Sequence, residues 1–137
     1  MNEPLSCASQ LSGRLLLLVE DDPVQLEGYR RMLERLGCAV FAASTAEEGI
    51  AFARSVTIDA ILTDNVLAGM TGLRSISEYA KSTDAPVVIM TGHACADLEK
   101  DARLLGAKGV FVKPLVPETI LAGLVEKMTP SVPGRPR

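Results

Sequence analysis

Short runs of apolar, partly β-branched residues alternate along this chain with stretches of helical periodicity, and four of the runs end in polar residues. Leu15 to Val19 leads into Glu20-Asp21, Ala60 to Thr63 into Asp64, Val87 to Met90 into Thr91, and Val110 to Val112 into Lys113. Continuous apolarity over strand length marks a strand covered on both faces, the condition of a parallel sheet. Parallel strands joined by right-handed crossovers bring all their carboxyl ends to one edge. The two acids after the first run, Asp64, a hydroxyl and an ammonium are therefore expected in one pocket.

The intervening segments carry helix signals. Asp22-Pro23 opens a first helix, the carboxylate as N-cap and the proline at the first helical position; Leu26, Tyr29, Met32, Leu33 and Leu36 form its inner stripe before Gly37 stops it. Ala39 to Ala43 is a weaker second strand. Thr45-Ala46-Glu47-Glu48 is a capping box, followed by Ile50, Ala51 and Ala53 at helical spacing, and the helix ends near Arg54. A glycine-bearing loop after Asp64 enters a helix from about Leu73 to Lys81, Pro86 marks the fourth strand, and helices are expected at Ala96 to Leu105 and from Pro117 to about Met128. Five such βα units argue for a three-layer α/β fold, with ligands at the carboxyl edge where the winding direction switches.

With 137 residues the chain is expected to form one domain, residues 13–128, between a disordered extension (1–12) and a disordered tail or start of a linker (129–137). No apolar stretch approaches the roughly 20 residues that span a bilayer, and no secretory signal precedes the first strand, so a cytoplasmic protein is expected. A net charge of −3 without clustered Lys and Arg speaks against nucleic acid and membrane surfaces. Cys7, Cys38 and Cys95 are widely spaced, with no CxxC pair, and read as reduced bystanders.

At the expected pocket, Asp22 serves as a cap, leaving Glu20 and Asp21 to face inward; Asp59 precedes its strand and belongs at the opposite edge. Two or three acids converging would repel one another unless one took up a proton or a cation bound, and an oxygen-ligated ion such as Mg²⁺ relieves this while leaving water ligands to exchange for phosphate oxygens.

Val19-Glu20-Asp21-Asp22, Asp64 with Gly69-Met70-Thr71-Gly72, Val88-Ile89-Met90-Thr91-Gly92 and Val112-Lys113-Pro114 resemble, in order and spacing over residues 14 to 128, the motifs of bacterial response-regulator receiver domains, the CheY-like superfamily. The resemblance implies a flavodoxin-like (βα)5 sandwich with a parallel sheet of order 2-1-3-4-5, an order for which a receiver protein is a standard example. It further implies Asp64 as phosphoacceptor, Glu20, Asp21 and Asp64 with the Val66 carbonyl as Mg²⁺ ligands, Thr91 and Lys113 as binders of phosphoryl oxygens, and a cis Lys113-Pro114 bond. By the same resemblance the phosphoryl donor is a sensor histidine kinase or histidine phosphotransfer protein, and the output is a downstream protein partner or effector domain. The chain then catalyses only its own phosphorylation and dephosphorylation.

Three positions depart from the family pattern. Ala68 and Thr71 replace a frequent proline and acid, with altered loop stiffness expected. Val110 stands where the family usually has an aromatic that moves with the threonine, implying a weaker or differently built switch, and Phe111 should face the other side of its strand. A receiver-like module that binds partners without phosphorylation is therefore the alternative. A flavin-binding protein would need a hydroxyl- and amide-rich phosphate loop where Glu20-Asp21 stand, and an aspartyl-phosphate phosphatase would need a second acid at Val66. His93 reads as a solvent-facing loop residue, and the Ile120, Leu121, Leu124, Val125 and Met128 stripe as core.

Overall fold

A computed structural model describes residues 11–93 and 95–128. Five strands alternate with five helices: β1 (Leu15–Val19), α1 (Pro23–Arg35), β2 (Ala39–Ala43), α2 (Ala46–Ser55), β3 (Ala60–Asp64), α3 (Gly72–Ser82), β4 (Val87–Thr91), α4 (Ala96–Leu105), β5 (Gly109–Val112) and α5 (Pro117–Lys127). All pairings are parallel and the order is β2-β1-β3-β4-β5, a flavodoxin-like α/β fold. The chain winds from β1 outward to β2, then returns past β1 to β3, so the winding reverses between β1 and β3. Leu16 pairs with Ala60 and Val19 with Thr63, which brings the ends of these two strands level.

Alternation along each strand divides the core into two layers. Leu17, Val19, Ile61, Val87 and Ile89 join Ala46, Ile50, Ile76, Tyr79 and Ala102 on one face; Leu16, Leu18, Leu62, Val88 and Met90 join Leu33, Ile120 and Leu124 on the other. Each fully buried aliphatic side chain contributes about 1.5–3 kcal/mol, so a strand such as β1, apolar on both faces, is held from both sides. Phe111 packs with the α1 and α5 layer, and Val110 against the opposite one, as period-two alternation requires. Gly123 makes room for that ring: a Cβ there would lie 2.6 Å from Phe111 Cζ.

Helix termini follow their sequence signals. Asp22 caps α1, its Oδ1 accepting from the amides of Val24 and Gln25, and Gly37 follows the helix at φ 97°. Thr45 Oγ1 accepts from the Glu48 amide, while Glu48 reaches back to the Ser44 amide, one residue earlier than in the standard capping box. Thr71, expected to matter only for loop stiffness, caps α3 by accepting from the Arg74 amide, and the helix begins at Gly72.

Two expectations need correction. The boundary drawn at residue 13 falls too late, because Leu11 is fully buried in the α1 and α5 layer and Gly13 N donates to Gly37 O; residues 1–10 and 129–137 lie outside the described residues. Ala51 is exposed, with Phe52 instead half-buried and stacked on Phe41 at 3.8 Å, so the inner face of α2 is Ala46, Gly49, Ile50 and Ala53. Among the described residues no helix is long and apolar enough to cross a membrane.

Candidate functional site

The carboxyl edge at the β1/β3 switch gathers the acids. One carboxylate oxygen from each of Glu20, Asp21 and Asp64 lies within 4.8 Å of the others. Glu20 is 1% exposed and Asp64 8%, whereas Asp21 faces solvent. Burying Glu20 pushes its carboxyl above the usual range, the Asp64 charge adding to this, and hydrogen bonds from Lys113 and the Asp22 amide pull it part of the way back. Asp21 Oδ2 accepts from the Ala68 amide at 3.3 Å, tying the end of β1 to the loop that follows β3. That loop folds tightly: Gly72 N donates to Asn65 O, and any Cβ at Gly72 would run into the Asp64 carbonyl and lie 2.8 Å from Asn65 Cα.

Lys113 enters from just beyond β5. Its Nζ lies 2.6 Å from Glu20 Oε1, 2.8 Å from Gln25 Oε1 and 3.1 Å from Asp64 Oδ1. Burial alone would lower the ammonium, but Glu20 and Asp64 together outweigh it and raise its pKa. The Lys113-Pro114 bond is cis. Three carboxylates against one ammonium leave a formal excess of two negative charges, and the donors are hard oxygens, the set that suits a divalent cation of the Mg²⁺ kind.

Thr91 ends β4 at the same edge, but its hydroxyl is engaged with its own loop, donating to His93 O and accepting from His93 N, both at 3.2 Å. His93 itself is exposed, as expected. Val66 follows β3 with its side chain 74% exposed. Asp59 is at the other edge, where it accepts from the Leu15 amide and pairs with Arg14. A cleft of about 430 Å³ lies on that side, between Arg14, Ala53 to Asp59 and Ser82 to Pro86. None of Glu20, Asp21 and Asp64 lines it. Gln25 is the site residue that sequence reasoning missed; its position three residues after the Asp22 cap was the available signal.

This geometry fits what the chain is related to. The family model for the response regulator receiver domain matches residues 16–125, and the chain belongs to that family, signalling modules of two-component systems and not turnover enzymes. Membership implies partners of the two-component kind, histidine kinases among them. Protein PilH of Pseudomonas aeruginosa is 32% identical over 77% of this chain and 90% of its own length, whereas the chain spans about half the length of other curated relatives that it matches. A response regulator of Burkholderia pseudomallei, solved with a phosphorylated aspartic acid, calcium ion and citrate, superposes with a TM-score of 0.76 at 30% identity, over 81% of this chain and 66% of that one. The receiver domain of sensor histidine kinase PA1611 of Pseudomonas aeruginosa PAO1, which holds a magnesium ion in its active site cleft, shares the fold at TM-score 0.75 and 24% identity, over 85% and 98%.

Proposed function

We propose that this chain is a phosphoacceptor receiver working in the cytoplasm: Asp64 takes a phosphoryl group from a sensor histidine kinase or histidine phosphotransfer protein with Mg²⁺, and the change alters the surface that binds a downstream partner or effector domain. The observation that carries this reading is the convergence of Glu20, Asp21, Asp64 and Lys113 at one strand edge. The phosphorylated aspartic acid of the Burkholderia relative supports it.

In this reaction a carboxylate oxygen of Asp64 attacks phosphorus in line as the bond from phosphorus to the donor histidine nitrogen breaks, leaving an aspartyl phosphate. Lys113, already 3.1 Å from Asp64 Oδ1, meets the charge on the equatorial oxygens. Glu20, Asp21, Asp64 and the Val66 carbonyl would hold Mg²⁺, which when bound neutralises phosphoryl charge. Thr91 must release two long hydrogen bonds to His93 before its hydroxyl reaches a phosphoryl oxygen, a small cost because both are 3.2 Å.

Val110 favours a second reading, a constitutive binding module, because it gives the Thr91 movement little space to exchange with a side chain on β5. Hydrogen exchange with and without beryllofluoride and Mg²⁺ separates the two. The phosphorylation switch predicts protection in residues 91–97 and α4 with little change in β5; bound beryllofluoride with exchange unaltered throughout would favour the constitutive module.

A further inference from the structure

We infer that Gln25 is a positioning residue that aims Lys113 at the phosphoacceptor, an inference that rests on the phosphoacceptor reading and adds a residue to it. An ammonium has three hydrogens and no acceptor. In Lys113 two are engaged, by Glu20 at 2.6 Å and Gln25 at 2.8 Å, and Asp64 Oδ1 lies 3.1 Å away as an ion-pair partner. Holding these two bonds, from the residue after β1 and from α1, keeps the ammonium beside Asp64, where a phosphoryl oxygen would arrive.

The Gln25 amide is oriented by its two partners. Its Nε2 donates to Asp22 Oδ2 at 3.1 Å and its Oε1 accepts from Lys113, and neither partner tolerates the reverse, since a carboxylate only accepts and an ammonium only donates. Asp22 is in turn fixed by capping α1. A glutamine at the third position of a helix ordinarily reaches back to the amide of the cap residue. Here Glu20 Oε2 accepts from the Asp22 amide at 3.2 Å, which releases Gln25 to turn toward Lys113. Glu20 is also a proposed cation ligand, so its hold on Lys113 competes with metal binding. Gln25 is neutral and outside the acidic cluster, and its hold survives a cation.

The test compares the full chain with Gln25→Leu, which keeps volume and removes the amide. Without Mg²⁺ or beryllofluoride, the Lys113 ammonium resonance in nitrogen-15 NMR should be sharp in the wild type and broadened by solvent exchange in the variant. With both added, beryllofluoride should bind Gln25→Leu about fivefold more weakly, the loss of one net hydrogen bond, while Mg²⁺ alone binds equally. The double variant Asp22→Asn/Gln25→Glu, which reverses the polarity of the pair and preserves the cap, should recover the resonance. An unchanged Lys113 resonance and beryllofluoride affinity would overturn the inference, as would an equal loss of Mg²⁺ affinity, which would place the effect in the fold of the β1 end. If the wild type bound no beryllofluoride, the phosphoacceptor reading would fall, and the resonance would still decide whether Gln25 holds Lys113.

Discussion

Lys113 Nζ lies 2.6 Å from Oε1 of Glu20, a carboxylate only 1% exposed, so the cation proposed to meet the phosphoryl group is also the partner that makes burying this acid tolerable. Lys113→Met should cost about 1–3 kcal/mol in urea unfolding, below the cost of breaking a fully buried pair because Glu20 can take up a proton. Both groups titrate above their ordinary values. For Glu20 the fold prefers the protonated form; that contribution is complete below 4.5 and is lost as pH rises through the raised folded value. Glu20→Gln should therefore unfold at higher urea than the wild type at pH 7, with the gain shrinking as pH falls through the raised folded value and gone below 4.5, while its Mg²⁺ affinity drops. A variant less stable than the wild type at pH 7 would contradict this. The Lys113 attraction is complete below 10.5 and is lost only as pH rises through a value higher still.

Tyr79 is fully buried in the α2 and α3 layer, and its hydroxyl has no hydrogen-bond partner among the described residues. Tyr79→Phe should raise stability by about 1 kcal/mol, since it removes a desolvated polar group without opening a cavity. A Cβ on Gly49 would lie 2.6 Å from that hydroxyl and 2.9 Å from Val19 Cγ2. Gly49→Ala should accordingly destabilise the wild type, and less so in the Tyr79→Phe background, a coupling read from urea midpoints at constant slope.

Cys38 is 6% exposed, and burial pushes its thiol up to about 11, whereas Cys95 is exposed. At pH 8 only about one Cys38 in a thousand is thiolate, the form that reacts. Iodoacetamide should modify Cys95 well before Cys38, as peptide mass spectrometry would resolve. Equal rates would show that α1 and β2 open on the timescale of labelling.

The strand ends were legible in the sequence because both physical signals there are local: a doubly buried strand must be apolar throughout, and the polar residue that ends it must leave the core. Glu20, Asp21, Asp64 and Lys113 needed only parallel topology to bring them together. The contacts that depend on a choice between partners were not legible. Gln25 could have bonded the amide of its own cap, and only the position of Glu20 frees it for Lys113. Ala51 and Phe52 exchange burial because Phe41 on β2 offers the ring a stacking partner. Leu11 joins the core through a turn anchored on Gly37, a contact with no periodic signal.

Asp64 is the proposed acceptor of the phosphoryl group, and reductive trapping tests this at residue level. The protein would be incubated with acetyl phosphate and Mg²⁺, reduced with borohydride to convert an aspartyl phosphate into homoserine, and mapped by peptide mass spectrometry. Homoserine is expected at position 64, abolished by a chelator and by Asp64→Asn. Conversion at another carboxylate, or equal phosphoryl uptake by Asp64→Asn, would contradict it.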